Sequence, residues 1–297
     1  MQNLNLRSSH TSLRCVRTTF IPKPMTDLYL SEIYIYPIKS LGGISVSAAE
    51  LEDRGLRYDR RWMLVDDKGK FLTQRQHAQM ALLQVSMLEN GLSVSHKQGV
   101  LEPLYIPFEV KDAAVPELQV TIWDDTVTAQ EVDPAISAWF TEVLGMPARL
   151  VRMSEQARRL VETDYAQNGE VVSFADSYPF LLIGQASLDD LNSRLEQPVP
   201  MNQFRPNFVF RGGAPFEEDT WSDFKIGDVS FQAVKPCARC VVTTINQETA
   251  EKSAEPLRTL AIYRQLRHKT IFGQNLLSIS PAGTVQVGDK LEVLSWK

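Results

Sequence analysis

The sequence predicts a mainly β protein with a few helices (α+β). Three observations carry this: short runs rich in β-branched and aromatic residues recur, turn residues separate them, and only three segments show helical spacing. The first strand covers residues 28–36, and Pro37 ends it. Residues 62–65, a turn at 66–69 and residues 71–73 read as a hairpin. Residues 82–87 and 92–95 read as another, in which Asn90-Gly91 supplies the positive φ angles of a tight turn. Residues 118–123 and 125–129 continue the series. Asp133-Pro134 is an N-cap followed by proline at the first helical position, Ala138, Trp139, Val143 and Leu144 give an apolar face, and Gly145 stops the helix. Ser187 opens a second helix that runs to Leu195, and a third begins at Pro256 with Leu257, Leu260 and Tyr263 at helical spacing. Strands are expected at 149–152, 205–209, 229–233, 240–245 and 284–294. So many short strands point to barrels or sandwiches rather than a parallel α/β sheet.

At roughly 150 residues per domain, 297 residues suggest two domains, divided near residue 150 into 25–150 and 151–297. With 31 Lys plus Arg against 36 Asp plus Glu the net charge is −5, which argues against a nucleic-acid scaffold. No apolar run reaches the ~18 residues of a membrane-spanning helix, so no transmembrane segment is expected. Residues 1–24 are basic, with Arg7, Arg14, Arg17 and Lys23 and no acid before Asp27. They read as a disordered extension or a mis-assigned start ahead of Met25, and a cytoplasmic, bacterial setting is expected. An organelle follows only if they are a targeting peptide. Three cysteines, Cys15, Cys237 and Cys240, cannot build a disulfide framework, a four-cysteine zinc site or an all-cysteine cluster, and they suit a reducing compartment.

Pro236-Cys237-Ala238-Arg239-Cys240 is the sharpest local signal. A zinc site needs two more ligands, and the nearest histidine, His268, stands alone. A thioredoxin-like pair opens a helix, whereas Val241-Val242-Thr243-Thr244-Ile245 is β-branched and should continue as a strand. Two readings stay open: a thiolate at the end of a strand, its pKa lowered by Arg239, or two buried, unreactive thiols. Four other clusters bear on the choice. Tyr36-Pro37-Ile38-Lys39-Ser40 followed by Gly42-Gly43 makes a phosphate cradle without P-loop spacing. Asp59-Arg60-Arg61-Trp62 offers two guanidinium groups, of which alternation lets at most one face a given site. Thr73-Gln74-Arg75-Gln76 ends the partner strand of that hairpin, and Phe204-Arg205-Pro206-Asn207 sets a guanidinium and an amide on one face. Together these cations suit a multiply anionic small ligand. His10, His77, His96 and His268 lack metal spacing, and neither a Gly-x-Ser-x-Gly elbow nor a dinucleotide fingerprint is present. Residues 217–221 read as an exposed acidic turn over Trp221.

These motifs, with Asp176-Ser177-Tyr178-Pro179-Phe180, the segment 186–195, Glu218-Asp219-Thr220-Trp221 and Val287-Gly288-Asp289 in this order, resemble the MOSC-domain proteins over residues 28–295. The resemblance is to the branch that includes the mitochondrial amidoxime-reducing component and bacterial hydroxylamine-reducing relatives. It implies an N-terminal β-barrel domain and a MOSC β-barrel domain with molybdenum cofactor between them. It further implies that the Cys240 thiolate ligates molybdenum, a match of soft ligand to soft metal. Lys39, Ser40, Arg60, Asp176, Ser177, Tyr178, Arg205, Asn207 and Arg239 would then surround the pterin and its phosphate. Tyr178 departs from the small hydroxylated residue of the animal enzyme. Cys237 would support without ligating, and Asp176 would act near the metal as an acid or a hydrogen-bond acceptor.

The implied reaction is two-electron reduction of an N–O bond in hydroxylamines, amidoximes or N-hydroxylated bases. Some bacterial relatives carry a ferredoxin-like domain fused where this chain ends. A separate cytochrome b5 or ferredoxin-type donor with its reductase is therefore expected, and a monomer. The rival implied by the same resemblance is a molybdenum-cofactor or sulfur carrier with a persulfide on Cys240.

Overall fold

A computed structural model describes residues 27–109, 116–162, 164–166 and 168–297. The expected extension, with His10 and Cys15, lies outside the described residues. β1 (Tyr29–Ile35) forms where the aromatic, β-branched run predicts it, with a bulge between Leu30 and Glu32 that lets Leu30, Ile33 and Ile35 reach one core. Short strands β2 (Ile44–Val46), β3 (Ala48–Glu52), β4 (Gly55–Leu56) and β5 (Trp62–Val65) follow. β6 (Leu83–Leu88), β7 (Gly91–His96) and β8 (Leu104–Pro107) make a meander, and β9 (Glu117–Ile122) with β10 (Asp125–Glu131) a hairpin. α1 (Pro134–Leu144) starts where the Asp133 carboxylate accepts from the Ala135 N–H, and Gly145 ends it in the left-handed region. β11 (Arg149–Met153) then pairs with both β10 and β5.

After a connection whose described residues, 154–162, 164–166 and 168–179, are irregular, β12 (Phe180–Gly184), α2 (Gln185–Asn192) and β13 (Phe208–Arg211) form a parallel crossover unit. β14 (Asp223–Ile226), β15 (Val229–Ala238), α3 (Leu257–Tyr263), β16 (Gln265–Leu266), β17 (Lys269–Ser278), β18 (Gly283–Gln286) and β19 (Leu291–Val293) complete the chain.

A nine-stranded sheet runs β19-β14-β15-β17-β12-β13-β1-β2, with β16 attached to β17. β1 therefore lies between β13 and β2, and β3 pairs with β18. Residue 150 falls inside β11, which is hydrogen-bonded to β5 and β10, so the strands do not part into two sequence-contiguous sets there. The large sheet closes over Phe180, Phe208, Phe210, Trp221, Phe224 and Phe231, each stabilising the fold by about 2–3 kcal/mol of apolar burial. A second core joins α1 to β5 through Ile38, Trp62, Leu64, Phe140 and Leu150. A third fills the β5-β11-β10-β9 sheet, and a fourth lies under α2 and α3.

Several expectations are corrected. The run 240–245 does not continue as a strand: Val241–Thr244 is a 3₁₀ turn in which the Thr243 and Thr244 hydroxyls donate to the Cys240 and Val241 carbonyls. Local hydroxyl bonds outweigh β-branching there. Arg205 lies before β13 at φ 55° rather than in a strand. The span 284–294 is two strands, β18 and β19, separated by a turn. Neither Asn90 nor Gly91 takes a positive φ; the loop of that hairpin is Glu89-Asn90. Gly91 is needed for close approach, since a Cβ there would sit 2.3 Å from the Ile106 carbonyl oxygen. α1 buries Ile136, Ser137, Phe140 and Leu144, leaving Ala138 exposed, and α2 begins at Gln185, before Ser187, ending at Asn192.

The expected exposed acidic turn at 217–221 is also different. Glu218 is fully buried and accepts from the Ser187 hydroxyl at 2.8 Å and the Gly184 N–H at 3.2 Å, while Ser187 Oγ accepts from the Phe216 N–H. Asp219 pairs with Arg264 and accepts from Gln274. Burial pushes the Glu218 carboxyl up from 4.5 to about 7. The native protein keeps a proton that the unfolded chain releases above 4.5, so stability falls as pH rises from there to about 7 and is level beyond. Glu218→Gln should escape this loss, gaining about 3 kcal/mol relative to wild type between about pH 4 and pH 8, as urea unfolding at each pH will read.

Candidate functional site

Stretches from across the chain converge on one cleft of about 680 Å³. Lys39 and Ser40 come from the turn after β1, Arg60 from just before β5, and Arg75 from the turn after the Val65–Phe71 bridge. Asp176, Ser177 and Tyr178 come from the irregular connection, Arg205 and Asn207 from the approach to β13, and Cys237, Arg239 and Cys240 from the end of β15. All ten site residues expected from the sequence, together with Cys237, line this cleft. Its walls carry eight Lys or Arg against four carboxylates, so a protein of net charge −5 is locally cationic here.

Tyr36 is the platform for two of those cations. Its buried ring has the Arg60 guanidinium 4.2 Å and the Arg205 guanidinium 4.3 Å from its centroid. Its N–H donates to Asp59, its hydroxyl donates to the Pro206 carbonyl, and Gly43 packs so closely that a Cβ would lie 2.4 Å from the ring. Burial lowers Arg205 to about 10 and raises Tyr36 to about 12. Asn207 is occupied by the fold: its Oδ1 accepts from Arg60 at 3.2 Å and from the Leu181 N–H, and its Nδ2 donates to the Tyr34 carbonyl. Arg61 turns away to pair with Glu52, so one of the two adjacent arginines faces the cleft. Ser40, Arg60, Trp123 and Arg205 all take positive φ, at 66°, 49°, 54° and 55°, and all line the cleft. Strain of this kind gathers where side chains are aimed rather than merely packed.

Asp176 links the cations to the thiol. Its carboxylate accepts from Lys39 Nζ at 2.6 Å and from Arg75 Nη2 at 2.9 Å, and Arg75 Nε donates to Cys240 Sγ at 3.3 Å. Burial pushes the Asp176 carboxyl up, but Lys39 and Arg75 outweigh it and hold the group well below the usual carboxylate range. Burial draws Lys39 down to about 8 against the attraction of Asp176. Arg75 is further held by the Trp123 ring, 4.4 Å from its guanidinium. The expectation that Arg239 stands beside Cys240 is corrected: Arg239 donates to Cys237 Sγ at 3.0 Å and to the Phe204 carbonyl, and Arg75 takes the place at Cys240. Both thiols are free and partly exposed, which corrects the expectation that they are buried.

Sequence reasoning assigned no role to Arg75, Trp123 or Arg159. Arg75 stood in a noted motif; nothing in the sequence marks Arg159, whose partners are brought by tertiary folding. Buried Arg159 pairs with Asp125 at 2.7 Å and donates to the carbonyls of Ser173, Ala175 and Asp176, pinning the loop that presents the Asp176 carboxylate. His77, His96 and His268 stay outside the cleft. Among the described residues no three His, Cys, Asp or Glu side chains converge on a point. A metal held by Cys240 would have to bring most of its other ligands with it, and a chelate with soft donors and an anionic tail fits a thiol in a cationic cleft.

Residues 27–147 match the MOSC N-terminal beta barrel domain and residues 169–292 the MOSC domain. The chain is 34% identical to mitochondrial amidoxime-reducing component 1 of Mus musculus over 289 residues, covering 89% of this chain and 82% of that one. It is 35% identical to mitochondrial amidoxime reducing component 2 of Rattus norvegicus, over 88% and 81% of the two chains. It is 32% identical to the molybdenum cofactor sulfurase of Oryza sativa subsp. japonica, over 84% of this chain but 32% of that one.

Removing the Arg159 guanidinium would take the donor from three loop carbonyls and leave the half-exposed Asp125 carboxylate to solvent. Arg159→Met should cost about 3 kcal/mol in urea unfolding and expose residues 154–179 to limited proteolysis at concentrations that leave wild type intact.

Proposed function

The chain belongs to the MOSC family, and on that premise we propose that it is a molybdenum-cofactor-dependent oxidoreductase that reduces N-hydroxylated compounds with electrons from a separate donor protein. The observation that carries the reading is the pairing of the Cys240 thiol with a cationic cradle, in a cleft where among the described residues no three His, Cys, Asp or Glu side chains converge to hold a metal by themselves. The 34% identity to an amidoxime-reducing component along most of both chains supports the reductase over the sulfur carrier, since the sulfurase relative matches over about a third of its own length.

When bound, the cofactor supplies a metal centre that exchanges two electrons and accepts oxygen. In this reading Cys240 offers the thiolate, and the Arg75 N–H stabilises its negative charge. Arg60 and Arg205, fixed on Tyr36, hold an anionic tail, with Ser40, Ser177 and Arg239 around the ring system. Asp176, ionised at neutral pH, cannot donate a proton; it accepts a hydrogen bond from the N–H of an amidoxime or hydroxylamine and orients its N–O bond. Tyr178, whose hydroxyl donates to Glu162 at 3.2 Å, closes the wall behind it. Among the described residues no helix is long and apolar enough to cross a membrane.

Purified protein should contain molybdenum and pterin in equal amounts and reduce benzamidoxime with reduced viologen as donor. Cys240→Ala should abolish turnover while Cys237→Ala retains most of it. Asp176→Asn should lower kcat/KM by about 100-fold, the scale expected for loss of an orienting contact. A Cys240→Ala protein that kept both molybdenum and turnover would remove the thiolate from this role.

A further inference from the structure

The β16–β17 hairpin turns on Arg267 and His268, at φ 48° and 64°. Two successive positive φ angles make a turn in which Asn-Gly sits without strain and longer side chains do not. Both residues are exposed, and among the described residues their side chains have no hydrogen bond or ion pair that would offset the strain. The tip is cationic on an acidic chain, because Lys269 follows directly. Leu266 and Ile262 lie beside it, 47% and 83% exposed, and α3, which carries Ile262, packs on both β16 and the turn after Cys240. From the tip, β17 leads straight to the thiol: the Thr270 carbonyl accepts from the Arg239 N–H at 2.8 Å, and Cys240 is the next residue.

Resting on the reductase reading, we propose that this strained basic tip is the docking surface for an acidic one-electron carrier protein. Two encounters, each passing one electron, supply with two protons the conversion R–NHOH + 2e⁻ + 2H⁺ → R–NH₂ + H₂O. The exposed cations would act on the encounter rate and its salt dependence, and the apolar side chains would supply dry contact area. Extended polyanions call for a broader cationic field than one turn provides.

The test uses the full chain with its cofactor, titrated calorimetrically at low and high salt with an acidic [2Fe–2S] ferredoxin and with a soluble cytochrome b5 domain. Wild type should bind at least one carrier at low salt and lose it at high salt. Arg267→Glu/His268→Glu and Arg267→Asn/His268→Gly should each weaken binding about tenfold or more. The Asn-Gly pair should also raise the thermal midpoint, which shows that weaker binding did not come from unfolding. Turnover with reduced viologen should be the same in all three proteins. Unchanged carrier affinity in either variant, or no binding of either carrier to wild type at low salt, would overturn the docking surface. Absence of viologen-driven turnover in wild type would instead overturn the reductase reading, while the binding result still decides for or against the surface.

Discussion

The carboxylate of Asp176 is what allows Lys39 and Arg75 to share one cleft. Without it two cations would face each other across a partly dehydrated space, with Arg60, Arg205 and Arg239 nearby, and the cleft would gain by splaying open. With it, segments that leave β1, follow β5 and precede β12 are tied at a single point, and the Nε–H of Arg75 donates to Cys240. Arg159 completes the arrangement by neutralising three carbonyl dipoles of the same loop.

The strand topology makes this tie rigid. The cleft walls come from segments far apart in the chain: β1 lies in the large sheet, β3 pairs with β18, and β5 belongs to the β5-β11-β10-β9 sheet, which the Ile38–Trp62 bridge joins to the segment after β1. This is consistent with four lining residues being kept at positive φ, since only a framework that over-determines them can hold such angles.

Much of this was legible in the sequence, for identifiable reasons. Strands at 28–36, 62–65 and 118–129 follow from β-branched and aromatic runs, and α1 from a cap, a proline and a glycine, all of them local signals. The cleft residues were found because several cationic motifs could be grouped, although Arg205 reaches the cleft through a left-handed backbone and not by the alternation that suggested it. What failed depends on partners distant in sequence. Glu218 looked exposed because acidic runs usually are, and only Ser187 and Gly184 make its burial tolerable. Arg239 looked like the neighbour of Cys240 because it is adjacent in sequence, yet backbone geometry sends it to Cys237 and leaves Cys240 to Arg75.

The position of β1 also sets the order in which the protein is assembled. Made first, it pairs with residues up to 211, and β3 must wait for residues 283–286. β2 and β4 follow at once and cover one edge of each strand, but the other edge stays open until β13 or β18 is made, and such edges are the ones that pair with other chains. Contacts of this separation fold slowly, so the first strands must stay soluble until residues 283–286 have been synthesised. A polypeptide ending before residue 283 would lack β18, leaving β3 paired with the two-residue β4 alone.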